Sequence, residues 1–495
     1  MKRSPDLLRL AETVLLPGFV GTAAPDWVRR RLADGLAGVV LFSRNVDTPA
    51  QLADLTSALR AENADILIGI DEEAGEVTRL EARTGSSRPG NYALGVVDDV
   101  ALTEQVARDV GHDLRTAGVN IDFAPAADVN SNPDNPVIGL RSFGADPALV
   151  ARHTAAWVSG LQSAGVAACA KHFPGHGDTS VDSHHSIPRV TASAEELDEV
   201  ELWPFRAAIQ EGVRSVMTGH LLVTAYDDEL PATLSPKILT GLLRNRLGFE
   251  GLIVTDGIEM AAVAGRYGLG GASALAIAAG ADSICVGGEN SDEATVELIR
   301  DAVADAVIDG TLPEERLADA AVRVRALASW HAAAAETELP DEIGLAAARR
   351  AVRVTRRPGG PAVLPLVVAS HVVELAPETN LAIDKGMPWG AGEPLSKLLP
   401  GTTVTRLSEP EAMDGAPDRV LCEAADRPLV IVVRDAHRHA WQLDFVERVL
   451  AARPDGVIVE MGLPGRTDLG AVHIATHGSA RVCGQAAAEV LTGQA

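Results

Sequence analysis

Between Lys171 and Pro188 the chain reads KHFPGHGDTSVDSHHSIP, which gathers His172, His176, His184, His185, Asp178 and Asp182 among glycines, prolines and serines. Imidazoles that titrate near neutrality beside carboxylates suit proton transfer or metal binding better than packing. A single histidine in such a stretch would read as part of a polar surface loop; a cluster of this density does not. Directly upstream, Val166-Ala167-Ala168-Cys169-Ala170 is a short apolar run, read as a buried strand. The loop at the C-terminal end of a parallel strand is where α/β enzymes place their chemistry. Asp256 follows another such run, residues 251–254. A carboxylate there can serve as nucleophile, general base, metal ligand or cap of the segment that starts at Ile258. Asp71, Asp128 and Asp182 occupy equivalent strand ends. Acids converging on one space can bind sugar hydroxyls, stabilise a cationic transition state or hold a divalent metal.

Positioning these groups requires a frame, and the first two-thirds of the chain supplies a repeating one. Apolar runs at residues 18–22, 38–42, 66–70, 120–125, 166–170, 215–218, 251–254 and 282–286 are each followed by polar or glycine-rich residues. Helical patterns lie between them, at residues 49–62, 101–117, 148–164, 194–211 and 236–247. Thr48 before Pro49 and Ser235 before Pro236 are capping residues ahead of a proline in the first turn. Eight strand–helix units predict a (β/α)8 TIM-type barrel over residues 1–335, with an open doubly wound sheet as the alternative. Residues 336–361 read as a linker that contains a basic helix and ends in RRPGGP. Residues 362–495 then alternate strand candidates at 362–369, 402–407, 429–433, 456–460 and 473–476 with helices at 440–453 and 480–492. That pattern predicts a smaller α/β sandwich domain with a mostly parallel sheet.

Composition narrows the partners. Of 495 residues, 43 are Lys or Arg and 68 are Asp or Glu, a formal charge of −25 that opposes both nucleic acid and anionic membrane surfaces. Cys169, Cys285, Cys422 and Cys483 are far apart and read as buried free thiols. The N-terminal stretch breaks its apolar pattern at Asp6, Arg9 and Glu12, and no run approaches the length of a membrane span. The expectation is a cytoplasmic protein; nothing in the sequence indicates its oligomeric state.

The segments LIGIDEEAGEVTRL, NIDFAPAADVNSNPDNPVIGLRSFG, KHFPGHGDTSVDSHHSIP, MTGHLL with PATLSPKIL, and GFEGLIVTDGIEM occur in that order. Together they resemble the β-N-acetylhexosaminidases of glycoside hydrolase family 3, in the form with a catalytic barrel and a C-terminal α/β domain. The resemblance implies that Asp256 is a catalytic nucleophile and that Asp182 and His184 form an acid/base pair. It also implies that Asp71, Arg79, Arg141, Lys171 and His172 hold an N-acetylglucosamine unit. Four positions depart from the pattern: Gly257 and Glu259 after the nucleophile, Ala74 in place of a glycine, and Glu76 in place of an arginine.

A retaining glycosidase needs one carboxylate to attack the anomeric carbon and a second group to protonate the leaving oxygen, then to activate water. Histidine beside an aspartate can take the second role near neutral pH. The expected activity is hydrolysis of terminal non-reducing β-N-acetylglucosaminides in muropeptides or chitin fragments, without cofactor or metal. Phosphorolysis by the same glycosyl-enzyme is the alternative. A divalent-metal hydrolase and a non-catalytic sugar-binding protein are more remote.

Overall fold

The computed structural model describes residues 3–180, 187–288, 292–330, 340, 342–361, 363–413 and 415–494. The chain divides into two units, one made of Met1–Glu73, Thr103–Ile138 and Ser142–Glu338, the other of Ala74–Leu102, Gly139–Arg141 and Leu339–Ala495.

The first unit is a TIM-type barrel. Its strands are β1 (Leu15–Pro17), β2 (Gly38–Leu41), β3 (Leu67–Ile70), β4 (Ile121–Asp122), β5 (Ala167–Phe173), β6 (Ser215–Thr218), β7 (Leu252–Thr255) and β8 (Ile284–Val286). From β2 to β7 they pair in parallel in chain order, and β8 pairs in parallel with β1. Val254 bridges Ser283, and the Asp282 and Ser283 N–H groups both donate to the Ile253 carbonyl, which ties β7 to β8. At the last junction, between β1 and β2, the Leu16 side chain packs onto Gly38: a Cβ there would stand 2.7 Å from Leu16 Cδ2 and would collide with the Leu67 carbonyl of β3. Leu16, Val40, Leu67, Ile121, Cys169, Met217, Val254 and Cys285, one from each strand, meet in a single apolar cluster, joined by Val324 and Leu327 of the helix Glu314–Ala328. Strands buried on both faces read as continuous apolar runs, and for that reason they are legible in the sequence.

Two local expectations are corrected. The first strand is Leu15–Pro17, not residues 18–22, where Val20 is 68 % exposed and Gly21 turns at φ 101°. The helix expected over residues 194–211 is two helices, Ala194–Glu199 and Leu202–Gln210. Pro204 lacks an N–H and fits only the first turn of a helix, so the chain restarts just before it.

In the second unit the strands are β9 (Arg353–Arg356), β10 (His371–Ala376), β11 (Thr403–Ser408), β12 (Leu429–Val433), β13 (Val457–Glu460) and β14 (Val472–Ala475). Their order across the sheet is β9-β14-β13-β12-β10-β11, parallel except for β9, which runs antiparallel to β14. Along β12, Val430 and Val432 enter one apolar core while Leu429, Ile431 and Val433 enter the other, so both faces of the sheet are covered. The strand expected at residues 362–369 is instead β10. Pro365 cannot donate to a ladder, Val367 and Val368 are exposed, and β10 is paired on both sides. Cys169, Cys285 and Cys483 are buried, whereas Cys422 is exposed on the helix Ala416–Ala424, contrary to the expectation for all four. No described helix is long and apolar enough to cross a membrane.

Asp282 is buried at the β7–β8 seam, where it accepts the Ile253 N–H at 2.8 Å and pairs with Arg244, with Arg316 at 2.6 Å and with Arg323 at 3.9 Å. Asp282→Ala would strand these cations beside the ring closure. Loss of one partner from a buried charge cluster costs about 3–5 kcal/mol, against less than about 1 kcal/mol for Asp319→Ala at the exposed end of the same cluster. Urea unfolding of both variants at pH 7 measures the difference.

Candidate active site

Strand β5 carries Lys171 and His172 near its C-terminal end, and β3 runs directly into Asp71 and Glu73. Lys171 is 1 % exposed, with Nζ 2.6 Å from Asp71 Oδ1 and 2.7 Å from Glu73 Oε1. An ammonium buried to this degree requires paired anions. Two carboxylates share it. Beneath them, burial pushes the Asp122 carboxyl well above the usual range, although it accepts the Glu72 N–H at 2.9 Å.

Asp128, fully buried, organises the start of the histidine loop. Its Oδ2 lies 2.8 Å from His172 Nδ1, and its Oδ1 accepts the backbone N–H of His172 at 3.1 Å and of His176 at 2.8 Å. Burial pushes this carboxyl up, but the two histidines and these hydrogen bonds outweigh it and hold it below its ordinary value. His172 and His176 meet edge to face at 6.0 Å, and His176 Nδ1 lies 2.7 Å from Thr179 Oγ1. Asn135 Nδ2 donates to the carbonyls of His176 and Gly177. A Cβ on Gly177 would collide with the Val129 carbonyl, and one on Gly175, at φ 129°, with Glu201. The glycines of the PGHG stretch therefore allow the loop to lie against the barrel.

Strand β7 delivers Asp256, which is half-buried. Its N–H donates to the Thr218 carbonyl of β6 at 3.2 Å, and its Oδ1 accepts the Gly257 N–H at 2.7 Å. His220 braces the same turn: Nε2 lies 2.9 Å from the Gly257 carbonyl and Nδ1 lies 2.8 Å from Thr233 Oγ1, which also contacts Thr218. Glu259 accepts the Gly287 N–H at 3.1 Å. Burial, and after it the carboxylates of Glu259, Asp71 and Asp256, push the Cys285 thiol far above its usual range.

Arg79 and Arg141 belong to the second unit and are buried there. Arg79 Nη1 donates to the Ala382 carbonyl at 2.9 Å, and the Arg141 carbonyl accepts the Asn91 side chain at 2.7 Å. Ala74 adopts φ 60°, a left-handed conformation that costs a non-glycine residue roughly 1 kcal/mol. Asp182 and His184, the expected acid/base pair, and the neighbouring His185 lie outside the described residues. Among the described residues no group of three or more His, Cys, Asp or Glu side chains is arranged to hold a metal ion.

Several participants escape a reading by strand ends. Glu73 could have been found from its place beside Asp71. Glu201 could not: it sits in the break between two helices, 3 % exposed, with Oε2 lacking a hydrogen-bond partner. Burial first, then Asp128 and Asp178, push its carboxyl well above the ordinary range.

A parallel barrel whose strand ends gather a half-buried aspartate, a shared lysine and several further acids is suited to breaking glycosidic bonds. Residues 22–327 match the glycosyl hydrolase family 3 N-terminal domain, and the chain belongs to that family of glycoside hydrolases. It is 34 % identical over 317 residues to beta-hexosaminidase A of Pseudoalteromonas piscicida, a match covering 59 % of this chain and 53 % of that protein. Against a beta-hexosaminidase of Thiobacillus denitrificans the identity is 37 % over 295 residues, covering 57 % of this chain and 81 % of the relative. A family 3 beta-N-acetylglucosaminidase from a Paenibacillus species superimposes with a TM-score of 0.85 at 34 % identity, over 99 % of this chain and 97 % of the other.

A carboxyl whose folded pKa is raised loses stability as pH climbs through its unfolded value, about 4.5 for Glu201, toward the folded one. Glu201→Gln removes that loss. The melting temperature of the variant relative to the unaltered protein is expected to rise from pH 4.5 upward, with little difference at pH 4.

Proposed function

We propose that this chain is a retaining exo-β-N-acetylglucosaminidase that hydrolyses terminal non-reducing β-N-acetylglucosaminides through a covalent glycosyl-enzyme. The observation that carries this reading is the Lys171 ion pair with Asp71 and Glu73 in a barrel whose β7 leads into Asp256. It supplies hydroxyl-binding groups and carboxylates, which suit an oxocarbenium-like transition state. The names of the relatives support N-acetylhexosamine as the sugar. We assign catalysis to a barrel within residues 1–335 and read residues 336–361, whose β9 joins the second sheet, as the connection to an α/β domain at 362–495. The substrates we infer are fragments of cell wall or chitin, met in the cytoplasm.

In the first step Asp256 attacks the anomeric carbon while the bond to the aglycone oxygen breaks. The Gly257 N–H fixes the rotation of the attacking carboxylate, and the His220 brace fixes that turn. His184, oriented by Asp182, gives its proton to the departing oxygen. In the second step the neutral imidazole takes a proton from water as that water displaces Asp256. Lys171, Asp71, Arg79, Arg141 and His172 hold the sugar's hydroxyls and acetamido group. Asp128 sets His172 through its 2.8 Å contact with Nδ1.

His184→Ala, assayed without and with phosphate, tests this scheme. General acid catalysis contributes about 10²–10⁴-fold, so disaccharides should lose activity on that scale, and activated nitrophenyl glycosides far less. Azide should restore turnover of the activated substrate by attacking the intermediate without base assistance. A uniform loss across all leaving groups, with no azide rescue, would remove His184 from the acid/base role.

A further inference from the structure

Where β3 and β4 end, a side chain takes over from the backbone ladder. Backbone pairing between these strands reaches the Phe123 N–H, which donates to the Ile70 carbonyl at 2.8 Å. The Glu72 N–H then donates to the side chain of Asp122, whose Oδ1 lies 2.9 Å away. Asp122 is fully buried on β4, in register with Ile70 on one side and Ala168 on the other. Glu72 stands between Asp71 and Glu73, the two residues whose carboxylates meet Lys171 Nζ at 2.6 Å and 2.7 Å. In extended backbone, side chains two residues apart share one side, so both acids reach one ammonium only while the residue between them is held extended. Asp122 holds that residue. Every residue in this chain of contacts belongs to the first unit.

Stability does not account for an aspartate at this place. Among the described residues its Oδ2 has no hydrogen-bond partner, and a buried polar atom left unpaired destabilises a fold. Burial also lifts the carboxyl well above its ordinary range, which weakens it as a counter-ion for Lys171. What remains is the bond that Oδ1 makes. We propose that Asp122 is a positioning residue for sugar binding in the barrel: through the Glu72 N–H it fixes the strand-end segment that bears Asp71 and Glu73, and so aims the Asp71 carboxylate at a saccharide hydroxyl. This rests on the assignment of Asp71 to the sugar. Lys171 cannot set that aim by itself, because an ammonium is a point charge with rotatable donors and fixes the distance of Asp71 Oδ1 rather than the direction of the carboxylate. The direction comes from the backbone, and Asp122 sets the backbone.

The test uses the full chain with nitrophenyl N-acetyl-β-glucosaminide as substrate and free N-acetylglucosamine as competitive inhibitor. Asp122→Ala removes the acceptor and is expected to raise KM and the inhibition constant about 10-fold while kcat changes less than about 3-fold. Asp122→Asn, which keeps an oxygen for the Glu72 N–H, should return both constants to within about 3-fold of the unaltered protein. A cycle with Asp71→Ala separates action through Asp71 from general damage: once Asp71 is removed, adding Asp122→Ala should change KM less than about 2-fold. Asp122→Leu, which fills the volume without an acceptor, carries the same test if Asp122→Ala fails to fold by circular dichroism. The proposal is overturned by an unchanged KM in the folded variant, by a fall in kcat at constant KM, or by a loss as large in Asp122→Asn. It is equally overturned if the effects of the two alanine substitutions multiply, or if the chain folds with neither Asp122→Ala nor Asp122→Leu. An unaltered protein that neither cleaves the substrate nor binds N-acetylglucosamine, or an Asp71→Ala variant with an unchanged inhibition constant, would instead overturn the assignment of Asp71 on which the proposal rests.

Discussion

The strand ends of the barrel meet at one buried cation that two carboxylates share. Lys171 cannot sit 1 % exposed without anions, and Asp71 and Glu73 cannot both approach one point without a cation. Adjacent strand ends bring them together because β3, β4 and β5 are neighbours in the ring. Asp256 is delivered by β7 beside β6, itself paired with β5, and its N–H donates to the Thr218 carbonyl at the end of β6.

Asp128 solves a different problem. A loop that leaves a strand end has unpaired backbone N–H groups, and Asp128 accepts two of them while also meeting the His172 ring. Its low pKa keeps it ionised for that task. Gly175 and Gly177 then allow the loop to lie against Glu201 and Val129. The first part of the histidine stretch is thus rigid and buried: His176 is spent on Thr179 and on packing against His172.

How much of this the sequence revealed follows from burial. Barrel strands covered on both faces leave uninterrupted apolar runs, and seven of the eight were legible to within a few residues. β1 escaped because only Val14 separates Leu15–Pro17 from the helix Pro5–Thr13, so no turn residue marks where the strand begins. β10 escaped because His371 and Glu374 interrupt its run, although both are buried; Glu374 takes hydrogen bonds from Arg406 and the Gly392 N–H. Acids at strand ends were legible because position alone marks them. The roles of Asp128 and Glu201 were not, because they depend on which backbone groups and voids the loop meets in space. Glu72 and Asp122 lie 50 residues apart, a separation at which spacing carries no signal.

The claim at the centre is covalent attack by Asp256. Its most direct test is to incubate the protein with a slow 2-fluoro or 5-fluoro glycoside of the substrate sugar, digest it, and locate the modified peptide by mass spectrometry. The account predicts a single fluorosugar ester on Asp256, lost on incubation with an acceptor sugar that restores activity. A label on Asp71, Glu73 or Glu259, or inhibition without any covalent mass, would contradict it.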